Sequence, residues 1–258
     1  MFADEAYGIS DMGTKEAIAA MDAAALYRFF RKMMDEAYVI ITHVGKDHGA
    51  FLNDLADGFA DCTTVMPETE IRNSVARINE VVDPMELSQS KLNLGFRLGQ
   101  AAFENGAACR LFNVLYGGSA TSKLFMNVRE RLSLCYYCSS NIDRFKNIML
   151  VSSGIEADKY EEARREIEAQ LAAVAAGDFT DEELENARVY MIDSLRGALD
   201  SESALASMMA AGTLRGDVKT IEQEIEAISC VSREEIVAVA SEVQLDTVYF
   251  LKGVHNEA

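Results

Sequence analysis

The chain has few groups that could do acid, base or metal chemistry, and their spacing decides what each could be used for. Its histidines are His43, His48 and His255. None has a second histidine four residues away on a helix, the offset that lays two ligands on one face, so no metal site is assigned. Cys135-Tyr-Tyr-Cys138 has the C-x-x-C spacing of zinc and redox sites. It falls on a predicted strand, however, where residues three apart point to opposite faces, and no second C-x-x-C completes a tetrahedral set. Both thiols are therefore read as buried and inert. Gly117-Gly-Ser-Ala-Thr-Ser-Lys123 invites a phosphate-loop reading, but Ser122 stands where that loop needs glycine. No serine lies in a nucleophile-elbow pattern, and no catalytic residue is assigned. Arg129 and Tyr136 stand at the two ends of one short segment, seven residues apart. Guanidinium and phenol are donors that stabilise developing negative charge without themselves reacting. The plainer alternative pairs Arg129 with Glu130 and leaves Tyr136 half buried with its hydroxyl at the surface.

Both residues belong to one helix-to-strand switch. Gly117, Gly118, Ser119, Thr121 and Ser122 make a turn able to cap a helix starting near Lys123, whose predicted core stripe is Leu124, Phe125, Val128 and Leu132. From Leu134 the residues become β-formers, predicting a strand to Ser140. Strands are also predicted over Lys91–Leu98, with Leu92, Leu94, Phe96 and Leu98 on one buried face, over Asn147–Ile155, and over Thr247–Leu251. Helical stripes follow Gln100, Tyr160, Thr180, Glu202, Val218 and Ser232, the last with Glu235 as a capping box. Strand pairs with helices in consecutive runs define an α+β layer with an antiparallel-rich sheet and helices packed on one face.

The residues Gly117, Gly118, Ser122, Lys123, Leu124, Phe125, Val128, Arg129, Glu130, Leu134 and Tyr136 resemble the second domain of the M16 (pitrilysin/insulinase-type) zinc metallopeptidases. Departures are Lys123 where arginine is commoner, Leu132-Ser133 where Arg-Gly is frequent, Cys135 for alanine, and a second tyrosine, Tyr137; the doubled tyrosine looks like the bacterial subgroup without the zinc motif. The resemblance implies a LuxS/mitochondrial-processing-peptidase-like fold. It also implies that Arg129 and Tyr136 bind substrate in the non-zinc half of a peptide-holding chamber that is not catalytic alone. The alternative it leaves open is an inactive homologue with a structural or assembly role. An active member needs an inverted His-x-x-Glu-His helix, which the chain lacks, so no cofactor is expected here and zinc belongs on a missing domain or a partner subunit.

Helix-then-strand units capped at Asp22 and Ser232 and closing at Gly45 and Gly253 read as two copies of one ending, with a strand over Tyr38–Val44 in the first. Residues 1–45 are thus expected to be the C-terminal remnant of a first M16-like domain, 46–87 a linker containing Pro67 and Pro84, and 88–258 a complete second domain. Expected partners are a peptide substrate and the missing N-terminal domain or a partner M16 subunit. Homo- or hetero-oligomers are expected to cover apolar faces around Leu26, Phe30 and Ile40. A net charge of −18 argues against nucleic acid and anionic membranes. No apolar run reaches the roughly 20 residues of a membrane span, and with no signal-peptide pattern a cytoplasmic location is expected. Elemental analysis of the purified chain should find no stoichiometric zinc, and peptides incubated with it alone should remain uncut; about one tightly held Zn²⁺ per chain would overturn this reading.

Overall fold

A computed structural model describes residues 1–254 apart from Ala3, Asp47, Thr64 and Pro67, so His255 lies outside the described residues. In chain order the elements are α1 (Lys15–Ala19), α2 (Ala23–Glu36), α3 (Gly49–Asp57), β1 (Asn79–Met85), β2 (Ser90–Arg97), α4 (Gln100–Glu104) and α5 (Gly106–Asn113). Two π-helical segments, Val114–Gly118 and Leu124–Arg131, precede β3 (Cys135–Asp143) and β4 (Ile148–Ile155). Then come α6 (Tyr160–Ala175), α7 (Asp181–Ala198), α8 (Glu202–Arg215), α9 (Ile221–Cys230), α10 (Arg233–Ser241) and β5 (Gln244–Gly253). The chain divides into a helical unit, Met1–Glu68 with Ala198–Lys219, and a sheet unit, Thr69–Gly197 and from Thr220 onward.

In the sheet unit five strands lie in the order β1-β5-β2-β4-β3. β2 is antiparallel to β4 and to β5, β3 is antiparallel to β4, and β1 is parallel to β5. The strand period of two sorts the residues. Leu92, Leu94 and Phe96 stand in register with Phe250 and Val248 on one side and with Ser153, Val151 and Met149 on the other. All eight are buried. They pack with Leu111 and Phe112 of α5, Ile167 of α6 and Ile236 and Val239 of α10 in one core. The opposite face carries Lys91, Asn93, Tyr137, Leu150 and Val81, all partly or fully open. Helices therefore cover one face of a mostly antiparallel sheet, as the α+β reading expects.

Helix boundaries follow their caps. Ser232 and Glu235 form the expected box at α10, and Thr180 and Glu183 exchange the same pair of bonds before α7. Gly177, at φ +73°, closes α6 in the left-handed conformation that glycine adopts without strain.

The stretch read as a linker contains β1. Its residues are mostly exposed, including Val81 and Val82, so no alternating burial marks it. Pro84 is tolerated because an edge strand need not donate on its outer side. Arg164 fastens this edge, bonding Glu80 at 2.8 Å, Glu168 at 3.0 Å and the Tyr160 hydroxyl at 3.2 Å.

In the helical unit, Asp22 caps α2 by accepting from the Ala25 amide at 2.7 Å. Leu26 and Phe30 are exposed and Ile40 is half-buried. The expected strand at Tyr38–Val44 does not form. A strand exists by pairing its amides and carbonyls with a neighbour, and no described strand pairs with this segment.

Tyr116 is fully buried and its hydroxyl donates to the Ile167 carbonyl at 2.9 Å, tying the first π segment to α6. Burial pushes its phenol well above the ordinary tyrosine range, with the nearby Cys138 and Glu168 adding to the shift. A raised folded-state value means that this contribution is intact below about pH 10 and is lost as pH climbs, because the unfolded phenol ionises first. Urea titrations across alkaline pH should show Tyr116→Phe with a shallower loss of stability than the parent. At neutral pH the variant should be about 1 kcal/mol less stable, the scale of one hydrogen bond; an unchanged alkaline slope would contradict this assignment.

Candidate functional site

Gly117 brings the helix-to-strand switch against the sheet. A Cβ at Gly117 would lie 2.6 Å from the Leu124 side chain and 2.7 Å from the Ser140 amide nitrogen, so only glycine fits there. Ser119 donates to the Val114 carbonyl at 3.2 Å, and the Ser122 hydroxyl accepts from the Phe125 amide at 3.4 Å, capping the second π segment. Lys123, the phosphate-loop candidate, is paired with Glu183 at 2.8 Å.

The core stripe of that segment is Leu124 and Val128, both fully buried, while Phe125 is only half-buried and Leu132 is exposed. This corrects the expected stripe. A π turn holds more residues than an α turn, which moves Phe125 and Leu132 off the buried line. Phe125 instead lies under Arg129, whose guanidinium sits 4.6 Å from the ring centroid. At Ser133, with φ +49°, the chain turns back, and the Leu134 amide donates to the Val128 carbonyl at 3.1 Å. β3 then begins with a bulge: Cys135 is in register with Ile155, Tyr137 with Gly154, and Tyr136 is the extra residue.

Arg129 and Tyr136 line one open cleft of about 470 Å³, together with Glu130, Ser133, Leu134, Cys135, Glu156 and Lys159. Arg129 Nε donates to the Tyr136 carbonyl at 2.9 Å, and its Nη1 lies 3.2 Å from Glu130. The Tyr136 hydroxyl donates to Glu156 Oε1 at 2.5 Å while the residue as a whole is 59% exposed. That hydrogen bond, helped by the carboxylate's charge, raises the phenol above its ordinary range. The site presents one permanent cation and one protonated phenol, donors suited to a carbonyl or an oxyanion, with Lys159 nearby.

The structure thus brings together the two residues that the resemblance singles out, and the Glu130 pairing of the plainer alternative is present as well. Glu156 and Lys159 were missed. They follow β4, and only the β3–β4 register brings them to Tyr136; no local motif marks them. The expected divergence of Cys135 and Cys138 is also corrected. Cys135 is half-buried and lines the cleft, and its register partner Ile155 lies two residues from Ser153, the partner of Cys138, so the two thiols share a face. The bulge between them cancels the alternation on which that expectation rested.

A catalytic zinc does not fit the donors present. Among the described residues no group of three or more His, Cys, Asp or Glu side chains could hold a metal. His43 is in the helical unit, its Nε2 2.9 Å from the Lys46 carbonyl oxygen, and His48 directly precedes α3.

Solved proteins share this architecture. A conserved protein from Enterococcus faecalis V583 matches with TM-score 0.81 and 30% identity over 97% of this chain and 60% of its own. The peptidase M16 inactive domain from Pseudomonas fluorescens matches with TM-score 0.80 and 16% identity over 100% of this chain and 64% of its own. The Bacillus subtilis protein described as "Probable inactive metalloprotease YmfF" is 28% identical over 99% of this chain and 61% of its own length. "Uncharacterized zinc protease YmxG" from the same organism is 23% identical over 94% of this chain and 60% of its own. The chain therefore spans about 60% of the length of these relatives. Fold and relatives define an M16 peptidase-type domain. The chain belongs to the family described as Peptidase M16 inactive domain, whose model matches residues 20–189.

Replacing Glu156 by Gln removes the carboxylate that holds the Tyr136 proton. Tyrosine-labelled NMR titration, with Tyr136→Phe assigning the signal, should show Tyr136 ionising at lower pH in Glu156→Gln than in the parent. An identical titration would show that the 2.5 Å contact is not maintained in solution.

Proposed function

We propose that this chain is the substrate-holding, non-zinc half of an M16 peptide chamber, with Arg129 and Tyr136 as the groups that bind the substrate backbone. The observation that carries the reading is the convergence of these two donors on one open cleft. A peptide carbonyl entering it meets a guanidinium braced on an aromatic ring and a phenol kept protonated by its carboxylate neighbour. Neither Arg129 nor Tyr136 can activate water as a general base in these states; in this reading the chain holds substrate and does not cut it alone. Zinc, in this reading, resides on another M16 domain or a partner subunit, and the whole works as a homo- or hetero-oligomer in the cytoplasm. No described helix is long and apolar enough to cross a membrane.

One observation favours a second reading, an inactive homologue with an assembly role. Arg129 and Tyr136 already donate within the protein, to the Tyr136 carbonyl, Glu130 and Glu156. These bonds could serve to brace the bulge.

Fluorescence anisotropy with a labelled, unstructured polypeptide separates the two. Substrate holding predicts that Arg129→Ala weakens binding about tenfold and Tyr136→Phe about threefold, on the scale of one charged and one neutral hydrogen bond, with melting temperatures nearly unchanged. The bracing role predicts unchanged binding and a lowered melting temperature.

A further inference from the structure

Two thiols beside the cleft are left unused by peptide holding. In the β3–β4 register Cys135 faces Ile155 and Cys138 faces Ser153. Ile155 and Ser153 are two residues apart on β4 and so share a face of the sheet. The bulge at Tyr136 therefore makes Cys135 and Cys138 same-face neighbours, although three residues separate them in sequence. Two rungs at about 3.4 Å each put their backbones roughly 6.8 Å apart, at the upper end of the separation of about 4.4–6.8 Å that a disulfide spans. Cys138 is 4% exposed, whereas Cys135 lines the cleft. One sulfur is reachable and the other stands sheltered behind it.

We propose that Cys135 and Cys138 form a reversible dithiol–disulfide modification site in which Cys135 is the attacking thiol, Cys138 the resolving thiol, and the oxidant a small hydroperoxide. The Cys135 thiolate attacks the terminal peroxide oxygen: an S–O bond forms, the O–O bond breaks, and the leaving oxygen takes a proton to depart as an alcohol, or as water from hydrogen peroxide. The Cys138 sulfur then attacks Cys135. An S–S bond forms, the S–O bond breaks, and the hydroxyl leaves as water with the Cys138 proton. Two thiols lose two electrons, the peroxide gains them, and a dithiol reductant reverses the change.

The environment suits this order. The neighbouring Cys138 thiol holds the Cys135 thiol below its ordinary range, against the opposing effect of partial burial and with help from the Arg129 charge. The nearness of Cys135, with burial, pushes Cys138 well up, as expected of a thiol that waits for an electrophilic sulfur. The other cysteines lack this arrangement. Burial raises Cys109 to about 11, the Cys62 thiol donates to the Met34 carbonyl at 2.9 Å, and Cys230 is exposed. The closed ring would enclose Tyr136 and Tyr137 and lock the bulge on which Arg129 rests.

The test is thiol chemistry on the purified chain and is independent of peptide binding, so either proposal can fail while the other stands. After limited hydrogen peroxide and alkylation, mass spectrometry should find two of the five thiols lost and one peptide carrying Cys135 joined to Cys138. Cys138→Ser should stop at a Cys135 sulfenic acid that a cyclic dione traps, a label the parent does not accumulate. A trivalent aryl arsenical, which needs two adjacent thiols, should bind the parent one to one and fail to bind Cys135→Ser, the half-exposed position that secures the test should Cys138→Ser not fold. The proposal is overturned if Cys135 and Cys138 stay reduced while Cys230 oxidises, if Cys135 pairs with another cysteine, or if the arsenical binds Cys135→Ser as well as the parent.

Discussion

The structure depends on the burial of one face of β2. This strand lies between β5 and β4 and is laddered on both edges, so its backbone groups need no water, and Leu92, Leu94 and Phe96 commit one face entirely to the helices. Each such side chain contributes on the order of 2 kcal/mol of hydrophobic free energy. A one-residue slip would put Lys91, Asn93 and Arg97 into that core, which fixes the register of both neighbours. Arg97 shows how the opposite parity is accommodated: its side chain is 2% exposed, and its Nε bonds Asp246 of β5 at 2.9 Å. A buried guanidinium is tolerable only when such an acceptor is already in place.

β1 and β5 extend that constraint to both ends of the sheet unit. They pair in parallel from Asn79↔Thr247 to Met85↔Gly253, so residues far apart in sequence meet only once the intervening chain is folded. Such a pairing gains little from its own side chains, because β1 is largely exposed. The ladder, the Arg164 bridge to Glu80 and the Tyr249 hydroxyl on Asp83 at 2.9 Å supply what apolar burial does not. Composition therefore gave no cue to β1. The apolar pattern of β2 and β5 was plain because burial there is one-sided and periodic, whereas the edge strand is specified by its neighbour.

The same distinction separates what was legible at the site from what was not. Arg129 and Tyr136 were identifiable because they fall in the segment that resembles the M16 family, where Gly117, Gly118 and the serine before Phe125 announced a turn and a helix. The wrong expectations were both errors of phase. Assigning Phe125 and Leu132 to the core assumed 3.6 residues per turn, but the segment is π-helical. The expected divergence of Cys135 and Cys138 assumed strict strand alternation, but a bulge intervenes. Neither change of period alters residue composition enough to be read from one chain.

These two phase slips are what make the cleft. With regular α turns, Arg129 would not be stacked on a Phe125 displaced from the core, and without the extra residue at the head of β3 the Tyr136 carbonyl and ring would follow the sheet's alternation. The π segment and the bulge lie back to back across the Ser133 turn, and Arg129 Nε closes the gap between them on the Tyr136 carbonyl. Such departures cost regular hydrogen bonding and persist only where surrounding contacts over-determine them. Leu124, Val128, Leu134 and Cys138 supply those contacts from the core side. Glu156 directly follows β4 and Lys159 closes the short 3₁₀ turn after it, so neither needs an irregularity in the sheet. The cleft is thus a local break in two periodicities, held open by a sheet that keeps its own.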